Sequence, residues 1–600
     1  MTPGQKTSFV LFSSLIFALT MNASNLMTTF EYSKESTRGN NSNLEILAKD
    51  DVQIKKSTGL DKDYILMWSY GKFESLNLFM PKIMGGGSRE DLGVESAYYN
   101  FLKSNGYNSL EARNIVKESP VYWGDQPLVE APAYLGIVVF FLFVFSIFAY
   151  KGKHKLWLLS AIIISLLLSY GKNFEILSNL FIDYFPMYNK FRAVSSIQVI
   201  LELCVPVLAV LGLSSLFQQK IKKEQHLKSL YITLIIFIII IALMYLISSN
   251  LTFSGKQDML NEIIYGPEIS NMLSEPLIKD RKEIYFNQLS ETLIYVLITF
   301  LILFLYIKNK IKSNFALSIL IILISFDLVT FSRNYVNDEN FVNAEQVDYP
   351  FKMKGYFDII QKDSTDFRIF DWDKGRESEY FFKSIDGYHG AKLARYDYVM
   401  EMYFQNIGFD IQEQFMGNNV TDLLNTKYII IPDKSNRKSA LVIQRPNASG
   451  NAWFVKENIF VDSDKKEILS LDTLKFKNVS VSQEIESKSY NNVFSKINLV
   501  ERNSNYLKYE AETDDDGLII FSEIFYPKGW ISTIDGVESP HHRVNYLLRG
   551  MEISKGKHVI EFKFDPQIVK TSSLISLAGS SIFIFILILT CLRKIKKMNS

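Results

Sequence analysis

The chain has 600 residues, a formal net charge of +1 and 48% hydrophobic residues. A charge so close to zero gives no global field that would attract nucleic acid, so no nucleic-acid partner is expected. Its two cysteines, Cys204 and Cys591, both lie in apolar runs, which excludes a disulfide framework and a cysteine-ligated zinc site. The histidines form no H-x-x-H or H-E-x-x-H spacing, and we expect neither a metal nor a cofactor.

The hydrophobic residues are concentrated in stretches that predict membrane-spanning helices, since about 18 or more mainly apolar residues suffice to cross a bilayer. Eight such stretches are predicted, at about 8–22, 134–150, 155–170, 197–217, 230–249, 291–307, 315–332 and 571–592. The first and third are short. The first also fits a signal peptide, but no A-x-A-like cleavage site follows it, which favours a retained helix.

Short basic segments between these helices predict their orientation, because Lys and Arg are enriched on the cytoplasmic side of a membrane. Four segments are basic: 151–155, 218–228, 308–312 and 593–597. If all four are cytoplasmic, the helices alternate without conflict and both termini lie inside. The segments predicted to lie outside are then 23–133, 171–196, 250–290 and 333–570.

The outer segment 333–570 is predicted to fold as a soluble domain. The alternation in "GKHVIEFKF" predicts a half-buried strand with Ile560, Phe562 and Phe564 on one face. Asp535-Gly536 between short apolar stretches predicts a hairpin turn. These signals indicate a small β-sandwich joined directly to the last helix.

Upstream of the sandwich, the pattern predicts a mixed α/β portion. Residues 394–416 have a helical pattern, and "TKYIIIP" at 426–432 reads as a strand. The predicted division of the chain is a transmembrane helix at 1–22, an extracytoplasmic loop domain at 23–133, a six-helix transmembrane bundle at 134–332, an extracytoplasmic α/β domain at 333–504, an extracytoplasmic β-sandwich at 505–570, and a transmembrane helix with a basic cytoplasmic tail at 571–600.

Six stretches in one order along the chain carry a resemblance to a known family. They are "TTFEYSKESTRG" (28–39), "YWGDQP" (122–127), "MYNKFRAVSS" (187–196), "DLLNTKYIIIP" (422–432), "GNAWFV" (450–455), and "YPKGWISTIDG" through "HHRVNYLLRGMEISKGKHVIEFKFDP" (526–566). Together they resemble the bacterial YfhO-type membrane protein family. That family looks like a branch of the GT-C superfamily of multi-spanning glycosyltransferases.

The resemblance implies both a fold and a function. The implied fold is a GT-C-like, α-helical polytopic protein of the bacterial cytoplasmic (inner) membrane, surrounded by membrane lipids and carrying a large α/β plus β-sandwich domain outside. The implied function is the transfer of sugar from a polyprenyl-phosphate carrier to an envelope glycan or glycolipid acceptor on the outer face.

One departure from the GT-C pattern concerns the start of the chain. GT-C proteins typically carry a catalytic carboxylate in the first outer loop of a longer helical set, whereas this chain begins with what resembles the interior of the family's sequence. The resemblance therefore implies that the family's N-terminal helices are missing. The expectation is that the chain alone is inactive, or that a separate N-terminal fragment supplies them.

Basic residues in the outer segment 171–196 are candidates to bind the carrier. Lys172, Lys190 and Arg192 are predicted to lie at the depth of lipid head groups, where Arg and Lys can bind a phosphate. Glu202 lies near the start of the next helix, and an ionisable group there usually faces a partner or a cavity. The alternatives are head-group contacts for the basic residues and a hydrogen bond between helices for Glu202.

Glycosyl transfer also needs a carboxylate that accepts a proton from the acceptor hydroxyl. The outer segment 23–133 offers Glu31, Glu35 and Asp125. Each could equally be an ordinary surface carboxylate. Trp123, Trp453 and Trp530 are candidates to stack on sugar rings, although such residues more often belong to a core or a membrane-interface belt.

Two functions of other classes fit the same patterns. The protein could be a non-catalytic envelope scaffold that binds a glycan or a lipid carrier through its outer domain. It could also be a transporter or flippase, which the spans favour, but no inverted repeat or pair of broken helices supports that reading.

Overall fold

The computed structural model describes residues 3–39, 59–218, 222–372, 376–405, 419–433 and 439–598. The chain divides into two compact units. The helical unit comprises Asp61–Val342, and the sheet unit combines Met1–Leu60 with Asn343–Ser600. The predicted loop domain 23–133 is thus shared between the two units.

The helical unit contains most of the long apolar helices. Its helices are Lys62–Ile65, Ala97–Ser104, Ser109–Val116, Ile137–Ala149, Lys155–Ser169, Glu175–Tyr184, Val199–Phe217, Lys223–Ile247, Lys256–Tyr265, Pro267–Ile307 and Ser313–Ser332. Aromatic rings pack in the core of this unit. Phe79 stacks on Phe140 with ring centroids 4.5 Å apart, and Phe141 stacks on Phe237 at 5.4 Å. This apolar core anchors the loops that carry the candidate site.

Five helical segments are long and apolar enough to cross a membrane: Val194–Phe217, Lys223–Asn250, Ser270–Ile307, Ser313–Ser332 and Gln567–Ile595. They correspond to five of the eight predicted spans. Two further spans coincide with bent helix pairs. Gly4–Met21 with Ala23–Ser33 is bent by 66°, and Lys155–Ser169 with Gly171–Tyr184 by 115°.

The eighth predicted span is the shorter apolar helix Ile137–Ala149. The described residues therefore contain five to seven helices with the length and composition of a span.

The 115° bend occurs at Gly171, whose φ of 49° is left-handed. A Cβ there would collide with Ser69, so a side chain would not fit at this turn.

The sheet unit contains every strand found in the described chain. They are β1 Arg368–Asp371, β2 Thr426–Pro432, β3 Ala440–Gln444, β4 Ala452–Val455, β5 Glu457–Phe460, β6 Val479–Ser482, β7 Lys488–Ser489, β8 Ser495–Asn503, β9 Tyr506–Thr513, β10 Gly517–Ile524, β11 Trp530–Ile534, β12 Val537–Glu538, β13 His542–Val544, β14 Leu548–Ile553 and β15 Gly556–Phe564. Its helices are Pro3–Met21, Ala23–Ser33, Ala344–Asp348, Asp358–Gln361, Arg376–Phe381, Ala394–Met400, Asn419–Leu423, Asp464–Ser470 and Gln567–Met598.

Two sheets pack as a sandwich in this unit. One has the strand order β13-β14-β10-β4 and the other β12-β11-β15-β9-β8. Phe521 of β10 and Phe562 of β15 meet between them with ring centroids 4.9 Å apart. Because β4 and β8 precede residue 505, the sandwich begins earlier in the chain than the predicted boundary.

The local signals for the sandwich are confirmed. Ile560 and Phe562 are fully buried and Phe564 is half-buried, as the alternation in β15 predicts. Asp535 and Gly536 join β11 to β12 with φ values of 52° and 81°. Two successive positive φ angles are typical of the type I′ turn that Asp-Gly favours in hairpins.

The portion upstream of the sandwich contains both helices and strands, as the sequence pattern predicts. A three-stranded sheet has the order β1-β2-β3, with β1 and β2 parallel and β3 antiparallel to β2. The predicted strand at 426–432 coincides with β2. Of the predicted helix at 394–416, Ala394–Met400 is helical and continues as a π-helical turn to Gln405, while 406–416 lies outside the described residues.

Candidate functional site

A buried carboxylate, Glu74, lies at the centre of the candidate site in the helical unit. It belongs to the 3₁₀ turn Phe73–Leu78, and only 1% of its surface is exposed. Its Oε2 accepts a hydrogen bond from the backbone N of Gly71 at 2.5 Å, and its Oε1 accepts one from the Tyr122 hydroxyl. These contacts tie the segment around Glu74 to the "YWGDQP" segment.

Asp125 lies beside Glu74, and two glycines make this approach possible. A Cβ on Gly71 would lie 2.7 Å from both Asp125 Oδ2 and Glu74 Oε2. A Cβ on Gly124 would overlap the Glu74 carboxylate and the Tyr122 hydroxyl. The two carboxylates therefore come together where the chain lacks side-chain bulk.

Two lysines flank this carboxylate pair. The ammonium of Lys256 donates to the backbone oxygen of Asp125. Desolvation lowers the pKa of Lys256, and the nearby charge of Lys172 adds to this decrease. Asn173 Nδ2 lies 3.4 Å from Asp125 Oδ2 and 2.9 Å from the backbone oxygen of Tyr70.

The electrostatics of the pair favour a proton on Glu74. Burial raises the pKa of the Glu74 carboxyl, and the nearby Asp125 carboxylate adds to the increase. The hydrogen bonds from Tyr122 and Gly71 oppose this shift but do not reverse it. Burial and the Glu74 charge also raise the pKa of the Tyr122 hydroxyl, so this group remains a hydrogen-bond donor.

A buried arginine holds the loops of the site in place. Arg281 is fully buried and binds Asp258 at 2.6 Å. It also donates to the backbone oxygens of Val121 at 3.1 Å and Phe253 at 2.8 Å. Val121 directly precedes Tyr122, and Phe253 and Asp258 flank Lys256, so a single guanidinium fixes the two loops that supply Asp125 and Lys256.

The structure brings together some of the residues predicted from sequence. Asp125 and Lys172 both belong to the cluster. Glu202 is exposed in the first turn of the helix Val199–Phe217. Burial, followed by the charge of Glu74, raises the pKa of the Tyr70 hydroxyl, and the charge of Glu202 adds a smaller increase, so Glu202 lies on the same side of the unit.

Lys190 and Arg192 make other contacts. Arg192 donates from Nη1 to the Tyr64 hydroxyl at 2.7 Å, and its guanidinium lies over the Tyr64 ring, 5.0 Å from the centroid. Desolvation lowers the pKa of Lys190. Both residues lie in the short segment between the helix Glu175–Tyr184 and the span that starts at Val194.

Glu31 and Glu35 belong to the sheet unit and not to this cluster. Glu31 lines a cavity of about 410 Å³, and Glu35 lines one of about 240 Å³. Tyr526 lines both. Burial, followed by the charges of Glu31 and Glu35, raises the pKa of Tyr526 to about 12.

The sequence patterns did not single out Glu74, Tyr122 or Lys256. Tyr122 is part of "YWGDQP", so the neighbourhood of Asp125 was itself a signal. Glu74 follows "SYGKF" in a region with no helical or strand pattern, and Lys256 is one of many exposed lysines. Within the described ranges, no group of three or more His, Cys, Asp or Glu side chains is arranged to hold a metal ion.

The fold and the site define a membrane protein with five to seven apolar helices and a β-sheet domain joined to its C-terminal helix. Residues 457–576 match the family model described as "Bacterial membrane protein YfhO". This match confirms the predicted resemblance and supports a YfhO-type bacterial membrane protein. No curated protein matches the chain, and no solved structure does.

Proposed function

We propose that this protein is a membrane glycosyltransferase of the GT-C type. It transfers a sugar from a polyprenyl-phosphate carrier to a cell-envelope acceptor on the outer face of the cytoplasmic membrane. The observation that carries the proposal is the Glu74–Asp125 carboxylate pair flanked by Lys172 and Lys256. The family match supports the membrane class. The transfer reaction is what the resemblance to the GT-C glycosyltransferases implies, and the cluster supplies side chains that fit it.

The cluster has the chemistry that such a transfer requires. Asp125 is exposed and can accept the proton of an acceptor hydroxyl, while the buried Glu74 lies behind it. Lys172 and Lys256 can neutralise the charge that develops on the departing carrier phosphate. Because the pKa of Glu74 is raised, Glu74 keeps a proton to higher pH than an ordinary glutamate does, and this leaves the proton-accepting role to Asp125.

The predicted topology is consistent with this assignment. Glu74 and Asp125 come from segment 23–133, Lys172 from 171–196 and Lys256 from 250–290. All three segments are predicted to lie outside, so the cluster is built from one side of the membrane. Lys190 and Arg192 are predicted to lie on the same side and are proposed to contact the carrier.

Binding of the carrier tests the roles of the lysines. The full-length protein in lipid nanodiscs is titrated with a fluorescent polyprenyl phosphate. Loss of one charge-assisted contact is expected to weaken binding about ten- to a hundredfold in Lys256→Ala and Lys172→Ala. Arg192→Ala tests the additional contact in the same way. Lys103→Ala removes an exposed lysine of the same unit and serves as the matched control.

Transfer from radiolabelled polyprenyl-phosphate hexoses and N-acetylhexosamines tests the carboxylate pair. Asp125→Asn should abolish transfer and leave binding of the fluorescent carrier within about twofold of wild type, since it removes the base without adding bulk. Unchanged carrier binding in both lysine variants, or full transfer by Asp125→Asn, would refute the proposal.

A non-catalytic scaffold is the second candidate. The specific observation in its favour is that the matched segment 457–576 lies in the sheet unit and includes neither Glu74 nor Asp125. If the wild-type protein binds the carrier but transfers no sugar from any of the radiolabelled donors, the scaffold becomes the better description.

A further inference from the structure

A cleft within the sheet unit is lined by a row of aromatic rings. We call it the aromatic cleft. It has a volume of about 410 Å³, within the usual range of ligand pockets, and Tyr32, Tyr526, Phe564 and Trp530 line it. Ring centroids are 6.2 Å apart for Tyr32 and Tyr526, 6.5 Å for Tyr526 and Phe564, and 5.2 Å for Phe564 and Trp530. The rings therefore form a continuous apolar wall.

Polar groups also line the cleft. Glu31 supplies a carboxylate and Asn505 an amide, and none of the described residues that line the cleft is Lys, Arg or His. A carboxylate accepts hydrogen bonds, and an amide both donates and accepts them. The cleft thus combines an apolar wall with hydrogen-bonding groups and a negative charge.

The aromatic wall is held in position before any ligand binds. The Arg549 guanidinium stacks on Trp530, 4.1 Å from the ring centroid, and its pKa is lowered to about 10, mainly by burial. The Tyr32 hydroxyl donates to the backbone oxygen of Ala391 at 2.8 Å. Rings fixed in this way lose little conformational freedom on binding.

Neighbouring cavities extend the cleft. A cavity of about 240 Å³ shares Tyr526 and Leu393 with it, and one of about 420 Å³ shares Tyr32 and Leu393. Glu35 lines the smaller one. Because the cavities share lining residues, the space beside the aromatic rings is large enough for more than one sugar unit.

We propose that the aromatic cleft binds an uncharged glycan chain. A sugar ring has an apolar C–H face that can stack on an aromatic ring, and hydroxyl groups at its edge that can bond to Glu31 and Asn505. An anionic ligand is disfavoured because Glu31 would repel it. Ile568 and Val569 of the last apolar helix also line the cleft. A lipid chain is nevertheless disfavoured, because it would remove Glu31 and Asn505 from water without replacing their hydrogen bonds.

This inference goes beyond the proposed transfer reaction and does not depend on it. Its residues all belong to the sheet unit, whereas the carboxylate–lysine cluster belongs to the helical unit. Loss of glycan binding with intact carrier binding would therefore identify a defect of the cleft alone.

The test is calorimetric titration of the full-length protein in lipid nanodiscs with maltotetraose and with chitotetraose. The wild type is expected to bind at least one of them. Tyr526→Ala should weaken that binding about tenfold, because one stacked ring is lost, and Glu31→Gln should weaken it to a smaller extent. The matched controls are Phe494→Ala and Glu538→Gln, which change exposed residues of the same unit outside the cleft.

Each result decides the proposal. Selective weakening in Tyr526→Ala and Glu31→Gln, with both controls within about twofold of wild type, supports it. Two outcomes overturn it: wild-type protein that binds neither tetrasaccharide, and equal binding by Tyr526→Ala. Capture of a spin-labelled fatty acid by wild type but not by Tyr526→Ala would identify the cleft as a lipid site. Hydrogen exchange of β9 and β15 verifies that each variant is folded.

Discussion

His541 lies between the rings of Phe525 and Phe562, at centroid distances of 5.7 and 5.4 Å. Its Nδ1 is 2.8 Å from Ser532 Oγ. Burial, with a smaller effect from Arg549, lowers the pKa of this imidazole to about 4. The folded protein therefore keeps His541 neutral at a pH where an unfolded chain would protonate it.

This shift predicts a pH dependence of stability. As the pH falls from about 6.5 to about 4, the unfolded state binds a proton that folded His541 does not, so stability decreases by up to about 3 kcal/mol. The neighbouring His542 has the opposite effect on stability, because its hydrogen bond with Glu484 raises its pKa. The effect of His542 is the same in wild type and in a His541 variant, so it does not alter the comparison between them.

His541→Gln should remove the part of the acid sensitivity that His541 causes. The measurement is hydrogen exchange of the β15 amides in the full-length protein, corrected for intrinsic rates. It is made at about pH 4.5 and about pH 7, on either side of the ordinary histidine pKa of about 6.5. We expect a smaller loss of protection at the lower pH in the variant than in wild type. An identical loss in the two proteins would contradict the assignment of His541 as the group that titrates.

At the scale of elements, β15 stabilises the sandwich through its buried face. Phe562 contacts Phe521 and Tyr509 at ring-centroid distances of 4.9 and 6.2 Å. The last helix follows β15 after a short connection, since it begins at Gln567.

Phe562→Asp should unfold the sandwich in the full-length protein. It leaves a cavity and buries an unpaired carboxylate, at a cost of about 4 kcal/mol or more. Lys563→Asp is the matched control, because it introduces the same side chain on the exposed face of the same strand. We expect rapid hydrogen exchange in β9, β10 and β15 for Phe562→Asp and near-wild-type protection for the control. Full protection in both variants would mean that the inward face is wrongly assigned.

At the scale of the whole molecule, the orientation in the membrane is the property that decides whether the candidate sites face the envelope. The basic segments predict that 333–570 lies outside and that 308–312 lies inside. Membrane localisation agrees with the five to seven apolar helices and with the family match. The sidedness is still a prediction.

Cysteine labelling tests this sidedness. In a background in which Cys204 and Cys591 are replaced by Ala, Ser504→Cys should react with an impermeant thiol reagent in intact cells, with the outer membrane permeabilised where there is one. Ser313→Cys should react only after the cytoplasmic membrane is opened. The reverse pattern would overturn the topology and, with it, the outward position of Asp125 and Lys172.

Local sequence patterns predicted the helices and strands of this protein well. An element that is buried on one face has apolar residues at regular intervals, and a helix that lies in lipid has a continuous apolar run. The alternation in β15 and the Asp535-Gly536 turn both match the structure. Of the eight predicted spans, five match helices of spanning length, two coincide with bent helix pairs, and the one at 134–150 corresponds to the shorter helix Ile137–Ala149. The sharper of these bends occurs at Gly171, where a Cβ would meet Ser69, a contact that involves a distant part of the chain.

The sequence by itself determined the membrane class, the apolar helices, the strand-rich C-terminal domain and two members of the candidate site, Asp125 and Lys172. Only the tertiary structure placed Glu74 beside Asp125 and brought Lys256 to the same point. Neither residue has a local signal, since a buried carboxylate in a loop and a lysine near a helix start look ordinary in sequence. Glu74 reaches Asp125 through its contact with Tyr122. Lys256 reaches it because the buried guanidinium of Arg281 joins the loops around Val121 and Phe253, which are far apart in the chain. Such contacts form only when the helices pack.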